Sequence, residues 1–209
     1  MEIIYSYILE DRILIYNGEY ICSVVHKVKK EYGSSDPFQI CKLKRSIKLN
    51  YETMGTGQEA TKGFFLKMYQ INSITVNSDM SKEFQRIILA HELGHVFLHS
   101  HTQKENDVSG NKIKQFSDTT IFSNNALEKE ANIFAAELLI DDSSVTEYLQ
   151  EGKNFEYIAR ELRVPLKLLG IKWDIMKHKN LELCDFVIPV CGDFLKDEDI
   201  PPNFDDYIC

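Results

Sequence analysis

The segment 87–101, IILAHELGHVFLHSH, places four of the six histidines of this 209-residue chain between positions 91 and 101. The apolar spacing around it predicts one helix from about 81 to 99, with Ser78 or Ser81 as N-cap. Residues four apart on an α-helix project from one face, about 40° apart around the axis. His91 and His95 can therefore offer two imidazole nitrogens to one tetrahedral Zn²⁺, at about 2.0–2.1 Å each. Glu92 lies about 100° further round, where its carboxylate can reach a metal-bound water without ligating the metal. This is the physical content of H-E-x-x-H, two ligands and a general base. Zinc lowers the pKa of its water toward ~7, and Glu92 takes the proton as that water attacks a peptide carbonyl. Gly94, between the two ligands, would let another backbone or the substrate pass close.

A five-residue pattern with two free positions is common by chance, so the reading needs a third ligand. His99 continues the helical face, but eight residues at 1.5 Å rise put it ~12 Å along the axis from His91. It is expected to pack, or to brace a ligand, at the helix end. His101 stands where a metzincin places its third histidine, but that turn needs glycine three residues after the second ligand. Leu98 occupies that position and resists positive φ. The remaining candidate lies on a second predicted helix, 126–140, ALEKEANIFAAELLI, capped by Asn124 or Asn125. Its apolar stripe is Leu127, Ala131, Phe134, Ala135 and Leu138. Glu128 and Asn132 are four apart, so Glu128 can ligate while Asn132 braces the far nitrogen of a histidine. Glu130, on another face, stays open as the alternative ligand. His91, His95 and Glu128 form the most economical set, leaving a fourth position for water.

Elsewhere the patterns are those of an α+β chain with helices packed on a small, mostly antiparallel sheet. Residues 1–21 form an N-terminal extension whose alternation and Asn17-Gly18-Glu19 suggest a hairpin. Residues 22–142 form the core. A helix spans about 21–32, another starts near Asp36-Pro37, and strands are expected at 46–52, 63–69 and 73–77. The polar stretch 100–125 reads as a long surface loop. Residues 143–181 form a C-terminal helical region of two or three short helices, and 182–209 an irregular acidic tail.

The net charge of −8 sits unevenly, because the tail from Glu182 carries eight acids and one lysine, leaving about −1 elsewhere. No overall basic field for nucleic acid is present. Two helices around Arg163-Val164-Pro165 resemble a helix-turn-helix, with Arg160, Arg163, Lys167 and Lys172 available to phosphates. Such a basic set is more often a solvated face, so direct DNA binding is not expected. Five cysteines, odd in number and without a C-x-x-C pair, read as reduced thiols. The mean hydropathy is −0.27, no run approaches the ~18 apolar residues of a membrane span, and the acidic N-terminus lacks the features of a secretory signal. The expected location is the cytoplasm.

The stretch ITVNSDMSKEFQRIILAHELGHVFLH followed by EKEANIFAAELL resembles the ImmA/IrrE family of metallo-endopeptidases. The lead-in YGSSDPFQICKLKRSIKLNYE is also similar, so the resemblance covers roughly residues 22–140. Ile140-Asp141 depart from the Met-Pro that often closes the second motif. The resemblance implies a zincin-like fold, one zinc ion, a glutamate ligand from the second helix, and cleavage of a helix-turn-helix repressor, often encoded nearby on a mobile element. Two rival functions share that partner: a binding module that contacts a repressor or DNA without cutting, and a toxin–antitoxin component. Glu92 argues against the first, because a non-cleaving relative has no use for a general base.

Overall fold

Ile21, Val25 and Val28 recur at helical spacing and are all buried, so helix α1 (residues 18–32) turns one row into the core. The computed structural model describes residues 18–56, 60–100 and 124–179. Gly18 and Glu19, expected in a hairpin turn, instead open α1. The rest of that hairpin (1–17), residues 101–123 of the expected surface loop, with His101, and the acidic tail lie outside the described residues. Helix α2 (Pro37–Leu43) starts as predicted, with Pro37 in the first turn and the Asp36 carboxylate accepting from Phe38 N–H at 3.1 Å.

Strands β1 (Ile47–Glu52), β2 (Gly63–Met68) and β3 (Ile71–Asn77) form one sheet in the order β1-β3-β2. β2 and β3 pair antiparallel, with Phe65 opposite Ile74, whereas β1 and β3 run parallel, with Leu49 opposite Ile74. The sheet is thus mixed, which corrects the mostly antiparallel expectation. Burial explains the difference. Asn72 to Asn77 are all buried, so β3 takes the centre, and the two-residue turn at Tyr69-Gln70 folds it back between β2 and β1. Asn77 fastens the crossing connection, a role that sequence patterning does not reveal. Its Oδ1 accepts from Asp79 N–H (2.9 Å) and Met54 N–H (3.3 Å), and its Nδ2 donates to Gly55 O (2.8 Å) and Thr61 O (2.9 Å). A buried amide with all these bonds made fixes one geometry.

Helix α3 (Lys82–Gly94) is capped by Ser81, whose hydroxyl accepts from Phe84 N–H at 3.3 Å. The single helix expected to reach residue 99 changes pitch: His95–His99 form a wider π-helical turn. Such turns interrupt α-helices chiefly at functional sites. Helix α4 (Asn124–Leu139) begins at Asn124, so the asparagines expected to cap it are its first helical residues. From Ala131 to Ala136 it is buried on every side, more broadly than the predicted stripe. The cause is its position, packed against both α3 and α7. Leu127, at the exposed end, is only partly buried.

Three helices follow, α5 (Asp142–Gln150), α6 (Phe155–Glu161) and α7 (Leu166–His178). α4 ends at Leu139, Ile140 is fully buried and Asp141 is the N-cap position of α5, so the departure from Met-Pro leaves the helix exit intact. One cluster of buried apolar side chains runs from Ile21 to Met176. Among the residues considered for phosphate contact, Lys172 is not available. Its side chain is 1% exposed, pairs with Glu137 at 2.6 Å and also contacts the Asp142 carboxylate. Arg163 pairs with Glu83 at 2.6 Å, and Arg160 lies over the Tyr157 ring. α7 is a core helix carrying Leu168, Leu169 and Trp173. Lys179 bonds Glu137 (2.9 Å) and Asp142 (3.1 Å), completing a network that ties α4, α5 and α7 together. Glu137→Ala strips a buried ammonium of one partner. It is expected to cost about 3 kcal/mol, the lower end for a broken buried pair because Asp142 still faces Lys172; urea denaturation checks this. No helix among the described residues is long and apolar enough to cross a membrane. Of the cysteines, Cys22 and Cys41 are free thiols, and the other three lie outside the described residues.

Candidate metal centre

His91 and His95 sit four residues apart at the buried end of α3 and its π-turn, 2% and 4% exposed. Their Nε2 atoms are 3.1 Å apart. Glu128, from the first turns of α4, reaches both, with Oε2 3.1 Å from His91 Nε2 and Oε1 3.4 Å from His95 Nε2. Gly94 makes this meeting of helices possible. A Cβ there would stand 2.9 Å from Ala131 Cα and 3.1 Å from Ala131 O, so the neighbour admitted by the glycine is the α4 backbone.

The far nitrogens are held as well. His91 Nδ1 lies 2.7 Å from Asn132 Oδ1, an acceptor, so Nδ1–H donates and Nε2 is the nitrogen that faces the cluster. Asn132 occupies the bracing position that the spacing predicted. His95 Nδ1 lies 3.0 Å from His99 Nδ1, and His99 Nε2 lies 2.8 Å from Glu130 Oε2. Glu130, kept open as a ligand, therefore meets His99 and not the His91/His95 pair. The sequence contained a signal for this arrangement, because His91, His95 and His99 form one i, i+4, i+8 row.

Three donor atoms converge with room for a cation among them. Among the described residues, His91, His95 and Glu128 are the group of donors that could hold a metal ion. Donors about 2.05 Å from a tetrahedral centre stand about 3.4 Å from one another, and the observed separations of 3.1–3.4 Å match that edge. The charges agree. Burial alone would lower the pKa of His91, yet the Glu128 hydrogen bond and the charges of Glu92 and Glu128 outweigh it and raise it. Burial, with the charges of His91 and His99, brings His95 down to about 4 despite Glu128. Burial would raise Glu128, but the two histidines beside it hold its carboxyl well below the usual range. A carboxylate kept ionised beside two imidazoles is a donor set for a borderline-soft divalent cation.

Glu92 is 6% exposed and is not among the converging donors. Burial pushes its carboxyl up to about 7, with the charge of Glu128 adding and that of His91 opposing. It faces the sheet: a Cβ on Gly63 would stand 3.6 Å from Glu92 Oε1, 2.6 Å from Ile88 Cγ2 and 3.1 Å from Thr75 O. Only glycine lets the start of β2 come this close. The strand directly preceding α3 is central, so the edge near the site belongs to β2. Patterning missed Gly63, because its constraint comes from a helix distant in sequence.

The family described as the IrrE N-terminal-like domain, Peptidase_M78, matches residues 44–174. Among curated proteins, an uncharacterized immunity region protein 2 of Bacillus phage phi105 is 28% identical over 160 residues, covering 77% of this chain and 92% of its own. Metallopeptidase ImmA of Bacillus subtilis (strain 168) is 27% identical over 155 residues, covering 73% of this chain and 83% of its own. No solved structure matches. With the match spanning residues 44–174 and His91, His95 and Glu128 converging within it, the chain belongs to the ImmA/IrrE family of metallopeptidases.

Proposed function

We propose that this chain is a zinc-dependent endopeptidase whose protein substrate is a helix-turn-helix transcriptional repressor, with His91, His95 and Glu128 as ligands and Glu92 as general base. The convergence of two histidine nitrogens and one carboxylate at 3.1–3.4 Å carries the reading. Zinc bound there would supply a water of near-neutral pKa and a Lewis acid for a peptide carbonyl. The chain's own residues do the rest. Asn132 keeps His91 in the tautomer that offers Nε2. Glu92, buried and lifted toward neutrality, accepts a proton and returns it to the leaving amine. The edge of β2, held against Glu92 by Gly63, can pair with an extended substrate segment. The repressor is supported by the family resemblance and by a relative named for an immunity region. A cytoplasmic location suits such a substrate.

The test incubates the purified chain and zinc with the helix-turn-helix repressor encoded beside it. One discrete cut, abolished by chelation and restored by zinc, is expected. If the chain binds the repressor tightly yet leaves it whole in zinc, the binding-module reading replaces this one. Metal analysis separates the two glutamates: Glu128→Ala is expected to leave less than a tenth of wild-type zinc occupancy at micromolar zinc, with Glu130→Ala retaining more. The reverse order would reassign the ligand.

A further inference from the structure

We propose that His99 and Glu130 act as a positioning pair that fixes the proton of His95 on Nδ1, so that Nε2 is presented bare to the metal. The inference rests on the ligand reading above. It follows from four atoms. The two Nδ1 atoms of His95 and His99 are 3.0 Å apart, and only one hydrogen fits between them. If His99 supplied it, a neutral His95 would carry its own proton on Nε2, aimed at His91 and Glu128, and could not ligate. Glu130 decides the matter. A carboxylate oxygen accepts, and Glu130 Oε2 lies 2.8 Å from His99 Nε2. A neutral His99, with its one proton on Nε2, has a bare Nδ1, so the shared hydrogen belongs to His95.

The pair does for His95 what Asn132 does for His91, and each chain of bonds ends on α4, at Asn132 or Glu130. The π-turn matters here because His95 and His99 both lie in it, His99 only 3% exposed. Burial shields this chain of bonds from water that could swap the tautomer.

The test measures zinc affinity by chelator competition and, on zinc-free protein, the ring ¹⁵N shifts of His95. Wild type is expected to show the Nδ1–H tautomer. His99→Phe, which keeps a buried ring but no acceptor, is expected to shift His95 toward Nε2–H and to weaken zinc binding about 10–100-fold. Glu130→Ala should do the same. Glu130→Gln, whose amide oxygen still accepts from His99, should stay within a few-fold of wild type. A merely structural role would change melting temperature but neither the ring shifts nor the order of these affinities. If His99→Phe lacks a cooperative melt, Glu130→Ala, at a partly exposed position, carries the same comparison. The pair is ruled out if wild-type His95 is protonated on Nε2, or if His99→Phe and Glu130→Ala bind zinc as wild type does while His91→Ala does not. Should His91→Ala also bind zinc normally, the ligand reading falls and the pair with it.

Discussion

Glu92→Gln is expected to lower the rate of substrate cleavage about 10²–10⁴-fold, the usual contribution of a positioned acid–base group, while zinc occupancy stays at the wild-type level. The amide matches the carboxylate in shape but cannot take a proton, so the substitution isolates proton transfer. Occupancy should hold because Glu92 is outside the converging donors. Folding should not suffer either. Burial raises the carboxyl from 4.5 to about 7 in the zinc-free protein. A group raised on folding contributes stability below its unfolded pKa and loses it as pH rises through the folded value. Zinc-free wild type and Glu92→Gln should therefore be similarly stable near pH 4, with the Gln variant gaining relative to wild type as pH rises from about 4.5 to about 7 and keeping that gain above it. Three measurements check this: cleavage rate, metal content and urea midpoints at the two pH values. Wild-type cleavage by the variant would remove Glu92 from the chemistry. A loss of zinc would make it a ligand.

Local signals carried the parts of the molecule that local physics decides. Helix starts at Asp36-Pro37 and Ser81 were readable because a capping side chain and its N–H lie within three residues. The four-residue spacings of His91/His95 and Glu128/Asn132 forecast who shares a face, and the structure brings all four to one place. What could not be read is where elements distant in sequence meet. β3 lies between β1 and β2 because it is the most deeply buried strand, and nothing local distinguishes that order from a meander. Lys172 reads locally as a solvated cation, but α4 and α5 cover it with Glu137 and Asp142. Glu130 and His99 each had an ordinary explanation alone, and only the approach of α4 to the π-turn makes them a pair.

Gly94→Ala tests that approach and should damage both the fold and the metal site with a single added methyl group. Two effects compete. Replacing glycine inside a helix gains up to about 1 kcal/mol of propensity, whereas overpacking a filled interface costs about 1–3 kcal/mol. The second wins here because the obstructing atoms are Cα, O and Cβ of Ala131, at 2.9, 3.1 and 3.2 Å from the added carbon. Backbone cannot rotate aside, so α3 and α4 must separate. The cost then reaches the metal site, since Gly94 lies between His91 and His95 while Ala131 lies between Glu128 and Asn132. Donor distances tolerate only about 0.2 Å, so a helix displaced by several tenths cannot keep all three in reach. The variant is expected to be about 1–2 kcal/mol less stable without zinc and to bind zinc at least tenfold more weakly. Gly18→Ala is the control, because nothing lies within 4 Å of its would-be Cβ; it should melt at or above wild type and bind zinc normally. If Gly94→Ala matched that control in both stability and affinity, α3 and α4 could not be as close as the geometry requires. His91, His95 and Glu128 would then lose the common centre on which the chemistry depends.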